Sequence, residues 1–155
     1  MAKVFEDHLS ENMTDMMSAA VMWVHGQAEK VFVYGFCDGV LTSGEFFYQV
    51  HGEICTKEKI NEHLLPNEKP IPDPINTCRN VMRIIIGDTE KIYKQFKDSG
   101  REPPTEIRLT YDLRTKKFDG NLGYGEKTAM GRWVSDIVDE WMEEEKKKLA
   151  QAEQK

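Results

Sequence analysis

The chain has little of what most enzymes, secreted scaffolds and nucleic-acid binders need. Its 155 residues include three cysteines, Cys37, Cys55 and Cys78. They are odd in number and scattered, which excludes a disulfide framework and reads as reduced thiols in a cytoplasmic protein. Four histidines, His8, His25, His51 and His63, have no HExxH or CxxC company, so no metal site and no cofactor is expected. No apolar run approaches the ~18 residues of a membrane span, and MAKVFEDHLS lacks the apolar core of a signal peptide. Basic residues are outnumbered, 21 against 27 acidic, for a net charge of −6. That balance argues against a nucleic-acid ligand, whose phosphates call for a basic surface, and suits a basic protein partner.

What is present is a globular composition, 39% hydrophobic and 31% charged. The expectation is one α+β domain over residues 1–150, with a frayed tail at 151–155. The organising stretch is Lys30–Val50, KVFVYGFCDGVLTSGEFFYQV. Two β-rich runs, Val31–Phe36 and Glu45–His51, flank a turn-rich loop with Asp38-Gly39 and Ser43-Gly44, which predicts an antiparallel hairpin with a long loop. In its first strand Val31 and Val33 point one way and Phe32, Tyr34 and Phe36 the other. A strand apolar on both sides expects cover on both. Helices supply one cover, and a partner protein is a candidate for the other.

The remaining elements follow from period. Phe5, Leu9, Met13, Met16, Ala20 and Trp23 share one face of a helix over about Val4–Val24 that Gly26 ends. Thr56–Leu65 reads as a short helix. Pro66, Pro70, Pro72 and Pro74 then force a loop. Asp73-Pro74 is a helix start, with Asp at the N-cap and Pro at the first helical position. Ile75, Cys78, Met82, Ile85, Thr89, Ile92 and Phe96 mark the longest amphipathic helix, ending at Ser99-Gly100. Gly87 lies inside it, which only a close packing contact would explain. Glu106–Leu113 alternates, with Ile107, Leu109, Tyr111 and Leu113 inward and Glu106, Arg108, Thr110 and Asp112 outward. Lys117–Tyr124 repeats the pattern across a turn at Arg114–Lys116, giving a second hairpin with one covered and one open face. A final helix carries Met130, Trp133, Val134, Ile137, Val138 and Trp141, then Glu143–Lys148, whose acids precede its bases as i,i+3 pairing prefers.

Catalytic signatures are missing. GNLGYGEKT at Gly120–Thr128 approaches a phosphate loop, but Glu126 intrudes before Lys127 and puts a carboxylate where phosphate oxygens belong. The stretch reads as a strand running into a loop. His51 and Cys55, with Glu53 between, lie at a strand end that does not bring thiol and base together. Asp38 and Glu45 are separated carboxylates, and an Asp-Gly turn explains Asp38 by itself.

The order of segments resembles a known family. A helix with Asn-Met-Thr-Asp-Met leads to a Trp, to EKVFVYG, to an Asp-Gly loop and a Phe/Tyr-rich strand. IYKQFKDSGREPPTEIRLTYDLRTKKFDGNLGY follows, with Phe96-Lys97 ending a helix and Lys117-Phe118 at a strand turn. Over roughly residues 10–125 this is similar to the YezG-like immunity proteins, cytosolic antidotes of polymorphic and contact-dependent toxins. The Pro66–Pro74 insertion and the details of the final helix depart from it. The resemblance implies an antiparallel sheet of about four strands, from two hairpins, with N-terminal, central and C-terminal helices packed mainly on one face. It implies a non-enzymatic protein that binds and neutralises a cognate toxin, most often a nuclease domain. It carries over no catalytic residue. From alternation and the adjoining Asp38–Glu45 loop, the toxin-binding candidates are Asp38, Glu45, Phe47, Gln49, Arg108, Thr110, Asp112, Asp119 and Asn121, with Phe47 as an exposed aromatic anchor in a polar rim; the competing reading is that the C-terminal helix covers this face. The alternative is a small-molecule-binding or enzymatic α+β domain with a pocket between sheet and helices.

Overall fold

The computed structural model describes residues 4–128 and 132–153. Within them α1 (Phe5–Trp23) precedes β1 (Lys30–Cys37), β2 (Thr42–Val50) and β3 (Glu53–Thr56). A 3-10 turn at Lys57–Lys59 runs into α2 (Ile60–His63), followed by α3 (Pro74–Asp98), β4 (Glu106–Asp112), β5 (Lys117–Gly123) and α4 (Val134–Glu153). The five strands form one sheet in the order β3-β2-β1-β4-β5, with every neighbouring pair antiparallel. The α+β class and both expected hairpins are present.

The strand count is one higher than expected. His51 and Gly52 both adopt positive φ, 48° and 79°, which makes a two-residue turn whose twist suits a hairpin. The chain folds straight back, and Ile54 and Cys55 pair beside Gln49 and Tyr48. The first loop is correspondingly short. β1 and β2 stay paired as far as Cys37 and Thr42, which leaves only Asp38–Leu41 as loop where a long one was expected.

α1 and α3 cover one face of the sheet. Val31, Val33, Phe46, Tyr48, Val50, Ile107 and Leu109 pack there against Met16, Ala20, Val81, Ile85 and Ile92. α3 lies close because Gly35 and Gly44 face each other across β1 and β2. A Cβ on Gly44 would sit 2.7 Å from Ile85 Cγ2, and one on Gly35 would collide with Thr89 Oγ1. Small residues on the strands thus let one helical turn, Ile85–Thr89, dock onto the backbone.

Helix ends follow their local chemistry in part. Gly100 (φ 69°) ends α3, with Gly100 N–H donating to Lys97 O and Arg101 N–H to Phe96 O. At the end of α1 it is His25, at φ 55°, that takes the left-handed position, with Gly26 following. Asp73 sits at the N-cap of α3 and Pro74 at its first position, as expected. Its carboxylate, however, caps no backbone N–H; Oδ2 accepts from Asn76 Nδ2 at 2.7 Å. Met130, assigned above to the last helix, and residues 154 and 155 of the tail lie outside the described residues.

The largest departure is α4. The expected architecture puts helices mainly on one face, but α4 closes the opposite one. Val134, Ile137, Val138, Trp141 and Met142 pack on Phe32, Tyr34, Phe36, Phe47 and Ile54. Trp141 meets Phe47 edge-on at 5.1 Å between centroids and Phe32 at 5.7 Å, and Phe32 stacks on Phe47 at 4.5 Å. Such aromatic pairs add ~0.5–1.5 kcal/mol beyond the area they bury. The second face of β1 is covered by the chain itself, not by a partner.

Two glycine substitutions and one truncation test this packing by thermal or urea melts. Gly87 has no atom within 4 Å of a would-be Cβ, which removes the packing explanation, so Gly87→Ala stabilises by about 0.5–1 kcal/mol. Gly44→Ala destabilises, because Ile85 has to move. Ile85 is fully buried, and Ile85→Ala costs about 2–5 kcal/mol. An unchanged melt for Ile85→Ala, or a destabilising Gly87→Ala, contradicts this placement of α3.

Candidate functional site

With both faces closed, the expected binding residues separate. Alternation assigns the faces of β2 correctly: Phe46, Tyr48 and Val50 go toward α1 and α3, and Phe47 and Gln49 away. The face they reach is not open. Phe47 is 1% exposed and Gln49 4%, so Phe47 is not the surface anchor, nor Gln49 the open-face polar residue, that was expected. Phe47 is the centre of the aromatic cluster under Trp141. Gln49 Nε2 donates to Glu29 Oε1 at 3.2 Å, an oxygen that also accepts from the Gly52 N–H in the β2–β3 turn.

Glu45 is drawn into an ion cluster around a buried lysine that sequence reasoning missed. Lys57 is 6% exposed. Its Nζ donates to Glu45 Oε2 at 2.5 Å and to Glu58 Oε1 at 3.0 Å, and stands over the Phe46 ring. Burial alone would lower the Lys57 pKa, but Glu45 and Glu58 outweigh it and hold it above its usual value. The lysine is therefore a locked cation, not a nucleophile. A hollow of about 200 Å³ beside it is bounded by Glu58, Ser135, Asp139 and Met142. Asp38 is a turn residue: its Oδ1 accepts from the N–H groups of Leu41 and Val40 at 2.7 and 2.9 Å, which lowers its pKa. Asp112 does the same for the β4–β5 turn, accepting from Arg114 N–H at 2.9 Å and Thr115 N–H at 3.2 Å.

Four of the nine residues do come together. Arg108, Thr110, Asp119 and Asn121 line a groove of about 450 Å³ between β4–β5 and α4, closed on the helix side by Trp141, Glu144, Glu145 and Lys148. β4 and β5 set them opposite one another, Arg108 beside Asn121 and Thr110 beside Asp119. Arg108 bridges the two layers. Its guanidinium lies 5.1 Å from the Trp141 ring and 5.9 Å from that of Tyr34. Nε is 3.3 Å from Glu106 Oε2, and Nη1 is 3.9 Å from Glu144 Oε2. The buried Tyr34 hydroxyl is held far above its usual pKa by burial, then by the Glu106 carboxylate. β5 bounds the groove as an edge strand and is exposed from Lys117 to Asn121.

The adjoining surface of α4 is acidic. From Val134 to Glu145 the helix has no basic residue. Asp136, Asp139, Glu140, Glu143 and Glu144 are all exposed there, headed by Trp133, which is 71% exposed. Arg132 pairs with Glu140 at 2.5 Å, and Lys146 with Glu143 at 3.2 Å. Trp133 is the exposed aromatic that Phe47 was expected to be. Its position one residue before an amphipathic run was the available signal: the apolar stripe beginning at Val134 turns it outward.

Among the described residues the catalytic candidates of the sequence do not come together. His51 Nε2 bonds to Glu68 Oε1 at 2.7 Å rather than to Cys55, whose thiol burial pushes up to about 12. Cys37, Cys55 and Cys78 are free and buried. Among the described residues no cluster of His, Cys, Asp and Glu is placed to hold a metal, and no helix is long and apolar enough to cross a membrane. The chain matches no protein-family model and no curated protein.

Core and surface residues of this region separate by melting. Phe47→Ala costs about 3–5 kcal/mol, as deletion of a buried Phe does. Asp119→Ala and Asn121→Ala, on exposed β5, shift the melt by less than about 0.5 kcal/mol. A stable Phe47→Ala protein means that α4 does not cover β2.

Proposed function

We propose that the protein is an immunity protein. It binds a secreted toxin domain of basic charge, of the nuclease type, and neutralises it without enzymatic activity of its own. The observation that carries this reading is the exposed ridge of α4, five acids without an intervening base beneath Trp133. Net charge of −6 acts in the same direction. Opposite charge speeds diffusional encounter, and an exposed aromatic supplies the area that anchors a complex once formed. The groove at Arg108, Thr110, Asp119 and Asn121 adjoins the ridge through Glu144, and its polar lining supplies the rim. The segment order shared with YezG-like immunity proteins points to the same class of partner.

Co-purification with the toxin domain encoded beside this chain, followed by stopped-flow association, tests the proposal. The on-rate falls steeply between ~50 and ~500 mM salt, since surface charge is screened over ~10 Å at 0.1 M. Asp139→Lys with Glu143→Lys slows association about tenfold or more while the melt is unchanged. Trp133→Ala weakens the complex by about 2 kcal/mol, roughly 30-fold, through the off-rate. Salt-independent association removes the acidic ridge from the account, and absence of a complex with any neighbouring toxin domain removes the function.

A further inference from the structure

Among the described residues β5 is an uncovered sheet edge, and it lacks the devices that ordinarily blunt one. It is seven residues long, Lys117–Gly123, and pairs with β4 one to one over its whole length. No bulge turns it aside, no proline interrupts it, and Lys117 to Asn121 are exposed. Its two charges, Lys117 and Asp119, lie on the same side and pair with each other at 3.8 Å. The opposite edge, β3, has only four residues, and α4 packs on its Ile54. The two sides of β5 differ. Phe118, Gly120 and Leu122 lie on the α1 side, opposite Tyr111, Leu109 and Ile107. Phe118 is 36% exposed there and borders an apolar groove of about 320 Å³, which Met17, Val21 and Met22 form against Tyr111 and Leu113. Asp119 and Asn121 lie on the α4 side. Three acids, Asp119, Glu144 and Glu145, balance three bases, Lys30, Arg108 and Lys148, in the groove there. This edge therefore has no charge preference for a basic strand, in contrast to the outer face of α4.

We infer that β5 pairs antiparallel with β5 of a second copy of this chain, about a two-fold axis at Gly120, and joins the two sheets into one. A two-fold interface has to be complementary to itself, and this register is. It sets Phe118 opposite Leu122 of the second copy. It sets Asp119 opposite Asn121, whose amide N–H groups suit a carboxylate. All seven residues pair, and no like charges stand directly opposite. The two Asp119 carboxylates are diagonal neighbours, and Lys117 beside each of them offsets their charge. Moving the axis one residue to Asp119 puts two aspartates face to face. Moving it to Asn121 leaves Lys117 and Phe118 opposite the loop beyond Gly123. The Gly120 register also brings Tyr124, 42% exposed, alongside Lys116 of the other copy, at the rim of the apolar groove. A net charge of −6 on each copy opposes association, so the dimer tightens as salt screens that charge. A basic partner of α4 responds to salt in the opposite sense, and the pairing of copies stands or falls independently of the toxin reading.

Sedimentation equilibrium of the unmodified chain reads the dimer, and charge variants on β5 read its register. The expected result is a monomer–dimer equilibrium in the micromolar range that tightens as salt rises. Amide exchange slows at alternate residues of β5 as the protein concentration is raised. Asn121→Asp sets carboxylates opposite each other at two symmetric positions and weakens the dimer about tenfold. Asp119→Asn together with Asn121→Asp exchanges the two side chains, renews the unlike pair and restores the dimer. Both positions are exposed, so neither change unfolds the monomer. A chain that stays monomeric at every salt concentration overturns the inference. So does a dimer that Asn121→Asp leaves unchanged, or one whose loss the exchange does not restore. β5 amides that are indifferent to concentration but slow in a complex with the neighbouring toxin domain assign the edge to that partner and overturn the pairing of copies.

Discussion

β1 carries bulky apolar side chains on both of its faces, and a strand of that kind leaves neither face to water. Val31 and Val33 on one side and Phe32, Tyr34 and Phe36 on the other are all 1% exposed or less. Everything else is arranged around this demand. β2 and β4 flank β1 and extend both faces. α1 and α3 close the first, brought near by Gly35 and Gly44. α4 closes the second through Trp141, on which Phe32, Phe47 and the Arg108 guanidinium converge. The result is three layers, helices–sheet–helix, in which β1 has no open face, while β5 stays exposed at the sheet edge.

Much of this is legible in the sequence because its signals are local. Period-2 alternation assigns the faces of β1, β2, β4 and β5, and the Asp73-Pro74 start and Ser99-Gly100 end bound α3. The errors are non-local. Alternation says that Phe47 lies opposite Phe46, but not what comes to lie on it. That depends on α4, nearly ninety residues further along. The information was present as a pair: a second apolar face on β1, and the i, i+3, i+4, i+7 stripe Val134, Ile137, Val138, Trp141. Local alternation does not decide between a partner and the C-terminal helix as the cover, and both readings stood open. β3 was missed for a different reason. Four residues are too few to show a period, and the turn rests on His51 holding a positive φ that Gly more often supplies.

The candidate site was legible only by halves. Arg108, Thr110, Asp119 and Asn121 fall in one groove because they alternate on paired strands. Gln49, expected on the rim, is buried, and Glu45 is held by Lys57; their partners, Glu29 and Lys57, come from other elements. A polar residue on a predicted open face is ambiguous in this way: it belongs to the surface or to a buried pair, and only the third dimension decides. α4 combines both roles in one helix. Its inner stripe completes the fold, and its outer acids face solvent, so docking of the kind proposed would not require the core to open.

Native-state hydrogen exchange along α4 tests this division most directly, because local opening and global unfolding are distinguishable amide by amide. If α4 is a core layer, amides from Ile137 to Met142 exchange with the same free energy as those of Phe32–Phe36 in β1, through global unfolding. If α4 amides exchange through a separate, much cheaper opening while β1 stays protected, the second face of the sheet is not sealed by this chain. The claim that β1 dictates the three-layer fold then fails.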